Sequence, residues 1–355
     1  MEEFEQLLSV IETGIYGSDI RMAIHDALVF VYHNASPAID NAVLSDDVRT
    51  LKVLSQDEYD TLESEDPYVL YAIRNRKYDE TKIAIIAINS DGFSSDDVSY
   101  KETIEEVKQY LLENPDKRYK IIIGESSEID TLEENAFSSI NNLARIILSQ
   151  NISRIKERAF ENCINLEYVE IKGIVSTIPA WCFQGCINLK KVILPIGISF
   201  IQMHAFDGCT SLKTIDIPET LTSISGIAFS NSGLETIVIP NSVSTLGSQA
   251  FEGCVNLRNV TLSEYITTLE PSLFKGCISL TNVEIPTTIT RIEENVFEGC
   301  SSLNSVVIPY SVYAIGTDTF KDCINLKTIT IDNSQDYIMG SPWGAPETTQ
   351  IIWNN

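Results

Sequence analysis

No stretch of this 355-residue chain is apolar over the roughly 20 residues that crossing a bilayer takes, so no membrane insertion is expected. Basic residues are scarce. Lys and Arg number 25 against 50 Asp and Glu, a formal charge of −25. Nucleic acid and anionic membrane both need a basic face, so neither is expected as a partner. The acidity runs through both halves and reads as a solubility device. His is scarcer still, at three. His25 and His33 have no Cys or Asp at ligand spacing, and His204 reads as a substitution at a tolerant position. A Ser-His-Asp or Cys-His arrangement, a phosphate loop and a paired carboxylate cluster are all missing. No catalytic residue, metal or cofactor is therefore expected. The opening Met-Glu-Glu-Phe-Glu has neither a basic n-region nor a leader-like apolar core, so no standard signal peptide is expected.

What the chain does have is a period. Phe recurs at 137, 160, 183, 206, 229, 251, 274, 297 and 320, in steps of 23 with one of 22. A fixed period in the low twenties means stacked copies of one small unit. Aligned on the Phe, the unit reads Ile-x-x-Ile-x-x-x-Ala-Phe-x-Gly-Cys-x-x-Leu-x-x-Val-x-Ile-Pro, cleanest from Ile198 to Pro218. Leu-x-x-Val-x-Ile alternates at its end and predicts a short strand with one face inward. Stacked in parallel about 4.8 Å apart, nine such strands span roughly 40 Å. Ile-x-x-Ile predicts a second short extended piece. Ala-Phe-x-Gly-Cys predicts a tight turn in which Gly allows positive φ and Phe fills the core. Pro ends the strand because it cannot donate to a ladder.

Seven of the eight Cys sit three residues after a repeat Phe; Cys182 directly precedes Phe183. Zinc sites need ligand pairs a few residues apart. One Cys per layer gives none, so the column reads as buried packing. Cys182 and Cys186, spaced C-x3-C, are a weak metal or redox signal. Cα atoms stacked one above another rarely suit a disulfide.

Ala-Phe-Asp-Gly-Cys-Thr-Ser-Leu (205–212), Ala-Phe-Glu-Gly-Cys-Val-Asn-Leu (250–257) and the Ile-Pro strand ends resemble the BspA-like branch of leucine-rich repeats. The resemblance implies an α/β solenoid of short parallel strands in a surface or secreted binding protein, with no catalytic residues to carry over. The x positions of Leu-x-x-Val-x-Ile point away from the core, onto what is normally the concave face. On them Lys190, Lys191 and Lys213 form a basic patch flanked by Arg145, Tyr168 and Arg258. The set suits an anionic or carbohydrate ligand. The plainer alternative is a solvated face whose lysines pair with Glu167 and Glu170.

The first 125 residues lack the repeat. Glu3 to Ile11 and Ser18 to His33 predict amphipathic helices, and Ser55-Gln-Asp-Glu58 a capping box. Strands are expected at 49–54, 68–73, 83–89 and 119–123, and a helix at 101–113. Ile11-Glu-Thr-Gly-Ile-Tyr-Gly-Ser-Asp-Ile-Arg-Met-Ala-Ile-His-Asp26 resembles the opening segment of bacteriophage tail and baseplate proteins. Val53-Leu-Ser-Gln-Asp-Glu-Tyr-Asp-Thr-Leu62 with Asp66-Pro-Tyr-Val-Leu-Tyr71 is similar to a short module of phage tail fibres. At the other end, Trp343 and Trp353 are suited to cover the last layer.

The expected organisation is a helical attachment segment (1–36), a small α/β domain with an N-terminal cap (37–125), the solenoid (126–333) and a C-terminal cap (334–355). Two functions stay open. One is a phage or phage-like tail component, docked to tail or baseplate proteins through residues 1–36, whose solenoid recognises a bacterial surface receptor. The other is a cell-surface or secreted adhesin that binds host protein or glycan.

Overall fold

A computed structural model describes residues 39–43, 50–55, 69–74, 82–88, 94–124, 127–333 and 338–354. The chain divides into two units, residues 1–79 with 86–98, and residues 80–85 with 99–355. The expected helices at 3–11 and 18–33, the capping box beyond Ser55, and the phage-like segment 11–26 lie outside the described residues. In the first unit, Thr50–Ser55 runs parallel to Val69–Arg74, whose other edge takes Ile39–Val43 antiparallel. Ile39–Val43 was not expected from the sequence, which offers only five residues, Ile-Asp-Asn-Ala-Val, with polar residues at the second and third places.

The solenoid unit is built as the period requires. Each layer but that of Phe206 contributes one strand to a parallel sheet, and each layer one two-residue strand to the opposite wall, with the Phe between them. Leu143–Leu148, Tyr168–Ile171 and Lys191–Ile193 pair in register, 23 residues per step. Thr177–Ile178, Phe200–Ile201, Ser223–Ile224 and Thr245–Leu246 do the same on the other wall. The first sheet stops at Lys191–Ile193, and a new one starts at Thr236–Val238 with Asn259–Thr261 and Asn282–Val283. The gap, residues 213–217, lies beside the copy that is one residue short. The missing residue falls in the turn between Phe229 and Leu234, and Glu235 N still donates to Lys213 O as Arg258 N does to Glu235 O, so the layers stay in step across the gap.

All nine Phe side chains are fully buried. Their rings stack nearly parallel, from 5.1 Å between Phe206 and Phe229 to 5.9 Å between Phe274 and Phe297. The turns that hold them place two left-handed residues in each layer. Two positions after the Phe, that residue is Gly185, Gly208, Gly253, Gly276 or Gly299, at φ 70–75°, with Ser139, Asn162, Asn231 and Asp322 in the other four layers. Gly is the residue least strained there.

The Cys column does more than pack. The Sγ of Cys186, Cys209 and Cys277 donates to the carbonyl of Phe160, Phe183 and Phe251 in the layer before, at 3.0, 3.1 and 3.2 Å. Each of these carbonyls also accepts the N–H of the Cys in its own layer, as Phe251 O does from Cys254 N. In the short copy Ser232 stands at the Cys position, buried, its Oγ 3.3 Å from Cys254 Sγ. The Phe251 carbonyl keeps the Cys254 N–H when the thiol is removed, so what is lost is one hydrogen bond, worth about 0.5–1.5 kcal/mol. Cys277→Ala is therefore expected to lower stability by about that amount. Cys277→Ser, which keeps a donor, is expected to cost less. Urea denaturation of the two variants decides.

At the N-terminal side, helix α1 (Ile104–Glu113) precedes strand Arg118–Ile123. Thr103 caps it by accepting the N–H of Glu106 at 3.2 Å, so the helix starts three residues later than expected. Val107 and Leu111 are its buried residues. Asn142 Nδ2 donates to Leu111 O at 2.7 Å, which ties the helix end to the first layer. Ser94–Lys101 is a strand that the sequence did not suggest.

At the far end, the tail imitates one more layer. Gln350–Trp353 pairs in parallel with Thr328–Ile331. Trp343 is 2% exposed, and its carbonyl accepts from Phe320 N at 3.1 Å. That is the bond Thr319 O makes to Phe297 N one layer earlier.

Candidate functional site

The period-2 alternation of each strand sends one set of side chains into the core and the other onto the sheet face. The inward set hardly changes from copy to copy: Leu189, Leu212, Leu257, Leu280 and Leu303 are all buried. The outward set changes at nearly every step. Parallel register turns that set into rows, one residue per layer.

Arg145, Tyr168 and Lys191 share a row, since Tyr168 lies between Arg145 on one side and Lys191 on the other. Lys120 extends it beside Arg145. The repeat reading missed Lys120 because it precedes the first Phe, although it sits on the same phase of its strand. Lys190, Lys213 and Arg258 occupy the neighbouring row, interleaved with Glu167 and Glu235. Lys190 is 3.6 Å from Glu167, which also holds Arg118 at 2.6 Å. Lys213 is 3.2 Å from Glu235. Glu170 turns instead to Lys172 at 3.9 Å and accepts the Tyr168 hydroxyl at 3.2 Å. The Arg145 guanidinium lies 6.0 Å from the Tyr168 ring centre.

Accessibility divides the set. Arg145 and Tyr168 are only 6% and 8% exposed, whereas Lys190, Lys191, Lys213 and Arg258 are exposed. The open sheet face therefore starts at the third layer. Its ion pairs are solvated and worth about 0–1 kcal/mol each, so a ligand can replace them at little cost. Ile193, Val238 and Val307 stand exposed among them, at 38%, 62% and 53%.

The turn edge carries a second feature that the sequence concealed. Arg158, Trp181, His204 and Ile227 occupy one column at φ 56–60°. The Arg158 guanidinium lies 4.5 Å from the Trp181 ring centre, and Trp181 stacks on His204 at 5.8 Å. His204 Nδ1 is 2.9 Å from Asp207 Oδ2. His204 makes towards Asp207 the bond that Arg158 and Gln249 make towards Glu161 and Glu252 in their own copies.

The thiols offer no nucleophile. Burial pushes Cys163 up to about 12 and Cys254 up to about 11, and raises Cys182 and Cys186 well above the ordinary thiol range. Among the described residues, no three His, Cys, Asp or Glu gather as a metal site. Among them, no helix is long and apolar enough to cross a membrane.

No curated protein matches the chain. Eleven chains of solved structures are similar to it, among them the following three. A leucine-rich repeat protein from Bacteroides ovatus is 24% identical over 64% of this chain, with a TM-score of 0.48. The chain spans 60% of that protein's length. A leucine-rich repeat protein from T. pallidum is 26% identical over 59% of this chain and 82% of its own, with a TM-score of 0.42. The pneumococcal vaccine antigen PcpA is 16% identical over 87% of this chain and 78% of its own, with a TM-score of 0.44. The phage-tail resemblance finds no support among these comparisons. The model of the BspA type leucine rich repeat region, in contrast, matches six copies over residues 80–190, 176–269 and 222–342. With the layered geometry described above, that match places the chain in the BspA-type leucine-rich repeat family.

Proposed function

We propose that the protein is a non-catalytic recognition protein whose solenoid binds a receptor on a bacterial surface through the sheet face from Lys190 onward. One observation carries this reading. From layer to layer the buried positions repeat while the outward positions do not, so the scaffold is constant and the face is individual. Repeat arrays use extended faces of this kind for binding. On this reading the array is mounted on a phage or phage-like tail through residues 1–36, supported by the tail-like sequence Tyr16-Gly-Ser-Asp-Ile-Arg21 and its continuation.

Lys190→Glu with Lys213→Glu reverses two exposed charges, each of which faces a carboxylate. The double variant is expected to lower adsorption of the full chain to its target cells about tenfold, with Tm changed by no more than a few degrees, since isolated surface pairs contribute little to stability. Unchanged adsorption removes these lysines from the site. Running the assay on bacterial and on host cells separates a tail-borne receptor binder from an adhesin for host protein or glycan.

A further inference from the structure

The open sheet face is not uniform. Towards the C-terminus one row turns from cationic to uncharged. Thr236, Asn259 and Asn282 stand side by side in register, as do Ser305, Thr328 and Gln350. None of these six is ionisable, in a chain of net charge −25. Two residues further along the same strands, Val238 adjoins Thr261, and Val307 adjoins Thr330. Val238 and Val307 are more than half exposed.

The amides of this row are unspent. In the loops, the amides of Asn165, Asn188 and Asn325 each donate to a carbonyl one layer back, at 2.7–2.8 Å. Asn259 and Asn282 make no such bond to any described residue and point into solvent. Buried apolar packing does not require an amide there, and the strands' own N–H and C=O groups are taken up by the ladder. What remains is a row of uncharged donors and acceptors, with methyl groups and the exposed Glu284 on one side and the exposed Arg258 and Lys327 on the other.

We propose that this strip, layers 236 to 330 of the sheet face, binds a neutral, extended, β-linked polysaccharide. The proposal rests on the sheet-face reading above and names its ligand. Three features fit the occupant. Sugar hydroxyls donate and accept at once, as do Asn, Ser and Thr side chains. The exposed valines offer apolar contact to the C–H faces of pyranose rings. Neighbouring strands lie about 4.8 Å apart, close to the advance per ring of an extended β-linked chain, so successive rings meet successive layers. An extended peptide fits less well. It needs a free strand edge or side-chain pockets, and the middle of a sheet has no free edge. An acidic glycan is repelled by the overall charge.

The test is binding of the full chain to neutral β-linked hexasaccharides, β-glucan and β-mannan oligomers, by calorimetry at low and high salt. Salt-independent binding is expected, with Asn259→Ala plus Asn282→Ala weakening it at least tenfold. Arg154→Glu plus Thr245→Glu, at exposed positions of the opposite wall, is expected to leave it unchanged. No binding to these oligomers overturns the proposal, as does binding that the Asn variants leave intact or that salt abolishes. If cell adsorption still depends on the sheet face while these oligomers do not bind, the recognition reading stands and only the glycan is lost.

Discussion

Raising the pH from 8 to 10.5 is expected to unfold the repeat array. All eight thiols are buried, and burial raises every one of the resolved values, to about 12 for Cys163 and Cys323 and about 11 for Cys254. The ordinary value is 9.0. The protonated thiol is the neutral form, so above that value the unfolded chain loses protons that the folded chain retains. The stability tied to these groups is complete below about pH 9 and is lost as pH rises through the folded values. Each thiol that ionises only in the unfolded chain removes about 1.4 kcal/mol per pH unit. Eight together remove on the order of 10 kcal/mol within one unit, comparable to the whole stability of a typical domain. The measurement is the urea midpoint by circular dichroism at half-unit steps of pH. Cys277→Ser with Cys300→Ser is expected to make the decline shallower by two protons. A midpoint that holds steady to pH 10.5 would show that the thiols are not sealed.

Phe251→Ala is expected to be the most destabilising single substitution of its size. Its ring lies 5.7 Å from both Phe229 and Phe274 and is fully buried. Deleting a buried Phe costs about 3–5 kcal/mol, and each ring pair adds about 0.5–1.5 kcal/mol. In a stacked array a layer contacts only its neighbours, so a weak layer in the middle divides the molecule. Two separated urea transitions are expected in place of one. Phe137→Ala, with a single stacked neighbour at 5.6 Å, is expected to cost less and to leave one transition. Equal costs at the two positions would deny that stacking couples the layers.

The layering was legible because the Phe period and the apolar strand pattern recur at every copy, with Gly two residues after the Phe in five of the nine. What lay hidden depends on neighbours that a single layer does not contain. Trp181 and Ile227 look unsuited to a left-handed turn, yet both adopt it, because the N–H of each donates to a carbonyl one layer on, Met203 O and Ser248 O. The Cys column read as packing. Its hydrogen bond reaches back 26 residues from Cys186 to Phe160, beyond the reach of local pattern. On the candidate site, the outward phase of the strands was readable from their alternation. The burial of Arg145 and Tyr168 was not, since it depends on what packs around the first layers. The unspent amides of Asn259 and Asn282 became visible only against the committed amides of the loops.

The central claim is that one wall of the solenoid recognises and the other does not. Adsorption of the full chain to target cells should therefore be compared between two double variants of similar size. Lys190→Glu with Asn259→Ala alters the sheet face. Arg154→Glu with Thr245→Glu alters exposed positions on the opposite wall. Loss of adsorption is expected for the first pair and wild-type adsorption for the second, with both proteins folded. Equal loss for both, or loss confined to the second, would contradict the account.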